Sequence, residues 1–213
     1  MGRFVDPARY KDQSVTRILF LILTVAFSQA ILVVRAQDAQ FSPPAKRKFK
    51  YNGKVESTFD QSKDQSIVYF KLIPIKALEE PKETYAVQFS DERLEFTSYF
   101  AHQGQKLITP DWITLGFVSA TENPQKYGDK KLAVKADGQW VDLGPMKVLS
   151  RTNYARRGHL PLIQDTMELP IRYQQFLMLA NAKKIKVKLG GVEFDLEKEH
   201  LEAIRDLAAH TVP

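Results

Sequence analysis

The sequence predicts a β-rich fold: a mainly antiparallel β-sandwich or curved sheet with two C-terminal helices, with an α+β arrangement as the alternative. Several short segments alternate apolar and polar residues, which is the pattern of strands that bury one face. Asp137-Gly138 and Gly190-Gly191 interrupt two of these alternations, and such two-residue turns are typical of β-hairpins. Helical periodicity is confined to the region after Pro170.

An uncharged apolar run at residues 18–34 precedes the predicted domain. As a helix it would be about 25 Å long, slightly short of a ~30 Å hydrocarbon core and longer than a usual signal-peptide core. Basic residues dominate the segment before it, which favours translocation of everything that follows. Val34-Arg35-Ala36 suits cleavage by the small-residue rule. We therefore expect residues 1–36 to be a signal peptide or, if uncleaved, a transmembrane anchor.

The segment at residues 37–48 reads as a linker, because it is polar and contains Pro43-Pro44. Residues 49–213 then form one globular domain, which is large enough for a hydrophobic core. The chain holds 31 basic and 25 acidic residues, of which residues 1–36 hold five and two, so the net charge of +6 falls to +3 in the mature part. That charge is too small to favour nucleic-acid binding.

The chain contains no cysteine, which excludes a disulfide framework and a lipoprotein anchor. It also lacks an N-x-Ser/Thr glycosylation motif. Both observations fit a bacterial envelope protein, either periplasmic or at the cell surface. Membrane contact is expected only through residues 18–34, and only if they are retained.

Alternation and β-branched or aromatic content predict five strands before the hairpins. Their ranges are 49–59, 67–73, 85–89, 93–101 and 112–120. In the first strand Val55 and Phe59 are expected to face inward, and in the fourth Leu94, Phe96 and Phe100. The second strand is apolar on both faces and is therefore expected to be central. Gly116 indicates a bulge or a close backbone approach.

The two hairpins allow their registers to be predicted. Around Asp137-Gly138, a two-residue loop pairs Leu132 with Leu143, Val134 with Val141 and Lys135 with Trp140. Around Gly190-Gly191, it pairs Ile185 with Leu196, Val187 with Phe194 and Leu189 with Val192. The second register also places Lys186 opposite Asp195 and Lys188 opposite Glu193 on the reverse face. Apolar pairs on one face and opposite charges on the other are what a half-buried antiparallel sheet requires.

Two helices are predicted near the C-terminus. The first covers the segment 171–180, which Pro170 can open from the N1 position, and has an apolar stripe at residues 173, 176, 177 and 180. The second spans 197–209, with an acidic first turn that suits the helix dipole. Its stripe of Leu201, Ile204, Leu207 and Ala208 predicts packing against the sheet.

One cluster is a candidate binding site. Residues 151–159 contain three arginines, a tyrosine and a histidine and no acid. They fall in a predicted loop between residues 148 and 163. Guanidinium groups bind carboxylates and phosphates bidentately, so Arg151, Arg156, Arg157 and His159 are candidates for binding an anionic ligand. The alternative is an ordinary basic surface loop.

Other chemistry is poorly supported by sequence patterns. Glu197 and His200 lie three residues apart on a predicted helix, but they lack the spacing of a zinc-binding helix, and we expect them on a solvated face. No nucleophile elbow or phosphate-binding loop occurs, so no catalytic residue, metal or cofactor is predicted. Trp112 and Trp140 could form a stacking platform for sugars, although we expect each ring to pack in its strand.

These observations favour a non-catalytic binding or structural module of the bacterial envelope, whose partner is an unidentified envelope protein or an anionic ligand. An exported hydrolase, whose residues converge only in the folded chain, is one alternative. A membrane-anchored accessory subunit is the other.

Overall fold

The computed structural model describes residues 55–75, 92–106, 108–123, 125–155 and 160–211. These residues belong to one compact unit, residues 41–213. The predicted leader, the linker and the strand at 85–89 lie outside the described residues.

The described residues form ten β-strands and two α-helices. The first six strands are β1 (Glu56–Asp60), β2 (Gln65–Pro74), β3 (Arg93–Gln103), β4 (Trp112–Thr121), β5 (Lys131–Ala136) and β6 (Gln139–Pro145). The remaining elements are β7 (Lys147–Tyr154), β8 (Leu162–Arg172), α1 (Tyr173–Asn181), β9 (Ile185–Leu189), β10 (Val192–Asp195) and α2 (Lys198–Ala209).

The strands form two antiparallel sheets. One has six strands in the order β1-β2-β3-β4-β8-β7, and the other has four in the order β10-β9-β5-β6. The predicted β-rich fold with two C-terminal helices is confirmed. Both predicted hairpins belong to the smaller sheet, where β5 pairs with β9.

A chain of phenylalanine rings runs through the core. Phe70 lies 5.5 Å from Phe96 between ring centres, and Phe96 lies 5.1 Å from Phe117. Phe117, on β4, meets the edge of Phe194, on β10, at 6.2 Å. Offset and edge-on aromatic contacts of this kind are favourable beyond the apolar area that they bury. They join the inner faces of the two sheets into one core.

Both helices pack on the six-stranded sheet. Helix α2 contacts β2 and β3, while α1 contacts β4, β8 and α2. The predicted stripes are buried in both helices, as shown by Phe176 and Leu177 on α1 and by Ile204 and Leu207 on α2. The helices therefore cover one face of this sheet, and most side chains on its other face are accessible to solvent.

The Gly190-Gly191 hairpin is confirmed as predicted. Val192 pairs with Leu189, Phe194 with Val187 and Glu193 with Lys188. Beyond the last strand residue, the N–H of Leu196 still donates to the carbonyl of Ile185 at 2.9 Å. Local alternation was sufficient here because a slip of one residue would have turned every charge inward.

The Asp137-Gly138 hairpin is only partly confirmed. Val134 pairs with Val141 and Lys135 with Trp140, as predicted. A register shift between Leu132 and Ala133 then places Gly144, not Leu143, opposite Leu132. Gly144 has a φ of +103°, a conformation that glycine adopts readily and other residues rarely adopt, so the chain can form a β-bulge there.

The prediction for the first helix was wrong at its start. Pro170 lies inside β8, opposite Thr114, and α1 begins only at Tyr173. Strand β7 pairs with β8 only as far as Glu168, so no described strand pairs with β8 on that side at Pro170, where a proline would interrupt a ladder.

One further prediction is refined and another is corrected. Phe59 faces inward as predicted, since it pairs with the buried Ser66, but it is 37% exposed, because β1 is the outermost strand of its sheet among the described strands. Strands β7 and β8 were not predicted, and a loop was expected between residues 148 and 163. Arg151 and the three residues after it instead belong to β7. Leu94, Phe96 and Phe100 are buried as expected, and Gly116 marks a close approach in a continuous register.

Candidate functional site

Of the four residues of the predicted anion site, only Arg151 is among the described residues. Its Nε and a terminal nitrogen donate to the two carboxylate oxygens of Asp165, the opposite residue on β8, at 2.7 and 2.8 Å. Lys130 Nζ lies 3.6 Å from the same carboxylate. These contacts lower the pKa of Asp165, through the hydrogen bonds from Arg151 above all. The bidentate face of Arg151 is therefore occupied by this chain's own acid. Arg156, Arg157 and His159 lie outside the described residues.

His200 is a core residue, and the expectation of a solvated face was wrong for it. Its side chain is fully buried, 6.3 Å from the ring of Phe96. Nδ1 accepts a hydrogen bond from the N–H of Glu197 at 3.1 Å, which satisfies a free donor at the start of α2. Burial lowers the pKa of His200, because desolvation disfavours the imidazolium. Helix capping accounts for Nδ1 of this histidine, and within the described residues no group of three potential metal ligands occurs.

Both tryptophans are exposed, which contradicts the expectation that they pack in their strands. Trp112 is 47% exposed and Trp140 is 43% exposed. They lie on different sheets, since β4 belongs to the larger one and β6 to the smaller. The guanidinium carbon of Arg172 stands 3.9 Å from the ring centre of Trp112, whereas Lys135 Nζ stands 5.9 Å from that of Trp140. A single platform built from both indoles is therefore not supported.

An open groove of about 590 Å³ lies over the outer face of the four-stranded sheet, at Trp140. Its lining residues are Asp129, Lys131, Ala133, Trp140, Asp142, Lys188, Gly190 and Glu193. Ladder pairing explains how they meet: Glu193 pairs with Lys188, Lys188 with Ala133 and Ala133 with Asp142. Because the side chain of Ala133 is small, this row of side chains forms a depression on the surface of the sheet. Trp140 stands one row away, on the same face as Asp142.

Two carboxylates of the groove are held in place by backbone groups. Asp129 Oδ1 accepts from the N–H of Lys131 at 3.1 Å, and Asp142 Oδ1 accepts from the N–H of Gly144 at 2.9 Å. Glu193 and Lys188 form a loose ion pair at 4.0 Å. The groove thus presents an aromatic ring, fixed acceptors and two lysine ammonium groups, which together are suited to holding a polar ligand with an apolar face.

The loop that carries Asp129 is anchored to the Gly190 turn. Gly190 has a φ of +56°, and a Cβ at this position would lie 1.9 Å from the carbonyl oxygen of Tyr127. The N–H of Gly190 also donates to the carbonyl of Lys131 at 2.8 Å. Tyr127 is buried, which raises its pKa to about 12. The absence of a side chain at residue 190 is therefore a condition for the shape of the groove.

A second anchor holds the same loop to the start of β3. Glu92 accepts hydrogen bonds from the hydroxyl of Thr121 at 2.6 Å and from the N–H of Glu122 at 2.9 Å. Lys126 Nζ lies 2.5 Å from the other oxygen of Glu92. Burial raises the pKa of Glu92, but these contacts outweigh it, so the pKa is lowered and the carboxylate stays charged.

Sequence reasoning missed the groove. Its members come from a loop and two hairpins that are far apart along the chain, and only the β5–β9 pairing brings them together. The available signal was the outward charge pattern of the Gly190-Gly191 hairpin, together with a small residue, Ala133, between two lysines.

Comparisons of this chain with protein families, with curated proteins and with solved structures gave no match. Among the described residues, neither helix has the length and apolarity needed to cross a membrane.

Proposed function

We propose that this chain is a non-catalytic binding module exported to the bacterial envelope, and that the groove at Trp140 is its binding site. The observation that carries the binding role is an exposed indole beside two backbone-held carboxylates in one open groove. Large exposed aromatic rings are enriched at binding surfaces, because one ring offers a wide contact area and loses little conformational entropy.

The compartment is argued from the leader. The uncharged run at residues 18–34 follows a basic segment, which is the arrangement of export signals and N-terminal anchors. Either form places the domain on the far side of the inner membrane. The two forms differ in whether the module diffuses freely or remains tethered next to membrane partners.

Export is tested by fusing a reporter that is active only outside the cytoplasm to the C-terminus of the full chain in a bacterial host. We expect activity from the natural sequence and its loss in a Leu21→Arg, Val25→Arg double variant, because two charges interrupt the apolar run. The intact mass of the envelope-associated chain then distinguishes a start at Gln37 from retention of residues 18–34. A silent reporter on the natural chain would contradict the proposal.

An exported hydrolase is the second candidate, since Asp129, Asp142 and Glu193 place three carboxylates in one groove. Glycoside hydrolysis needs one carboxyl that stays protonated, which usually requires an apolar and largely buried environment. All three side chains are exposed, which favours binding over catalysis. Release of reducing ends from a polysaccharide by the purified chain, and its loss in Asp142→Asn, would reverse this preference.

A further inference from the structure

The groove carries charges of both signs in nearly equal number. Three carboxylates and two ammonium groups line it. A ligand with a net negative charge is repelled by the three carboxylates, and a ligand with a net positive charge is repelled by Lys131 and Lys188. A neutral ligand that can both donate and accept hydrogen bonds is opposed by neither set and can use both.

The two aspartates are prepared acceptors. One oxygen of Asp129 and one of Asp142 are each held by a backbone N–H. Within the described part of the chain, the second oxygen of each has no hydrogen-bond or ion-pair partner. Because their orientation is already fixed, a hydroxyl that donates to them costs little additional ordering. Charge-assisted hydrogen bonds of this kind are stronger than neutral ones.

The remaining lining suits an apolar ring face. The indole of Trp140 is 43% exposed, and the groove next to it is lined by Ala133 and Gly190, neither of which has a bulky side chain. A flat ligand with C–H groups on one face and hydroxyls at its rim can therefore contact the indole and reach the aspartates together. Pyranose rings have this combination of an apolar face and a hydroxyl rim.

We propose that the groove binds a neutral saccharide, with a pyranose ring against Trp140 and hydroxyls donated to Asp129 and Asp142. Lys131 and Lys188 donate to further sugar oxygens. This assignment rests on the proposed binding function of the same groove and names the class of its ligand. It differs from the anionic ligand expected from the arginine cluster, of which only Arg151 is among the described residues, with its bidentate face occupied by Asp165.

The assignment is tested by affinity electrophoresis of the full chain, purified in a detergent that has no sugar headgroup. The gels contain a neutral β-glucan, α-glucan, mannan or galactan, or one of two charged probes, a polyuronate and chitosan. We expect at least one neutral polysaccharide to retard the chain more than either charged probe. Trp140→Ala should weaken that retardation about tenfold, as loss of about 1.4 kcal/mol implies, while Trp112→Ala, the matched control, should leave it unchanged.

Three outcomes overturn the saccharide assignment: no retardation by any neutral polysaccharide, equal loss in both tryptophan variants, or stronger retardation by a charged probe. The proposed function fails separately, if the export reporter is silent. Suppose that the exported chain binds none of the six polysaccharides, but binds an envelope protein and loses that binding in Trp140→Ala. The proposed binding function would then stand, and the saccharide assignment would fail. Circular dichroism of each variant confirms that the exposed residue was replaced without unfolding.

Discussion

Trp112 and Trp140 are similarly exposed but have different neighbours, and the difference shows what makes an exposed ring a candidate site. Trp112 is stacked by Arg172 on the outer face of the six-stranded sheet. Polar groups on that face pair with one another: the hydroxyl of Tyr69 donates to Glu56 at 2.8 Å, and Lys71 lies 2.7 Å from the same carboxylate. Around Trp140, by contrast, Asp129 and Asp142 each keep one carboxylate oxygen without a partner among the described residues.

The two sheets also differ in how they are held. The larger sheet is covered by two helices and contributes most of the phenylalanine core. The smaller sheet depends on close backbone contact at one turn, where Gly190 meets Tyr127. We therefore expect the smaller sheet, which carries the groove, to be the more sensitive to single glycine substitutions.

The largest expected effect comes from Gly190→Ala. The added Cβ would collide with the backbone of Tyr127, and the residue would keep a positive φ, so the free energy of unfolding should fall by at least about 4 kcal/mol. Gly191→Ala is the matched control, since a Cβ there meets nothing within 4 Å.

Gly116→Ala sharpens this comparison on the other sheet. Its Cβ would lie 2.8 Å from Cγ2 of Thr97, a side-chain atom that can shift, so we expect a smaller loss than for Gly190→Ala. Urea denaturation of the three variants measures the order. If Gly116→Ala cost more than Gly190→Ala, the smaller sheet would not be the more sensitive one.

The Arg151–Asp165 pair should contribute to the edge of the larger sheet. Asp165→Ala removes two charge-assisted hydrogen bonds and should cost about 2 kcal/mol in unfolding free energy. The folded-state pKa of Asp165 is below its ordinary value of 3.8, so this stabilisation is present above that value and is lost as the pH falls through the folded pKa. A natural chain whose acid unfolding matched that of Asp165→Ala would show that the pair contributes nothing.

Asp142→Asn tests the groove without changing its shape. The amide oxygen can still accept from Gly144, but the charge is lost, so saccharide affinity should fall about fivefold, or ~1 kcal/mol, with no change in stability. Asp195→Asn is the control, because Asp195 lies on the same sheet face outside the groove lining. Isothermal titration calorimetry measures both, and equal losses would show that only the overall charge of the sheet matters.

The smallest effect is the pH dependence contributed by His200. Its folded-state pKa is lowered from 6.5, so below that pH the unfolded chain takes up a proton more readily, and stability falls as the pH falls. The change should stay under about 1.4 kcal/mol per pH unit for one group. His200→Gln retains an acceptor for the N–H of Glu197 but does not titrate, so its urea midpoint should depend less on pH between 7 and about 5.

Sequence reasoning was reliable where a pattern is local. The Gly190-Gly191 register followed from alternating charges and apolar residues within one hairpin. It failed where a distant segment decides the outcome. Pro170 favours a helix start by itself, but β4 holds it in a strand, and Leu143 is displaced by a bulge at Gly144. The exposure of both tryptophans is not contained in local patterns, and the meeting of Asp142 with Glu193 depends on the β5–β9 pairing, which joins two hairpins that are far apart along the chain.

The most direct test of the account uses the fact that the chain has only two tryptophans. Trp112→Phe leaves Trp140 as the sole indole, and Trp140→Phe leaves Trp112. Each variant is titrated with the neutral oligosaccharide of the best polysaccharide while tryptophan fluorescence is recorded. We predict a saturable change in the Trp112→Phe chain and none in the Trp140→Phe chain. A saturable change reported by Trp112, or none reported by Trp140, would contradict the assignment of the groove.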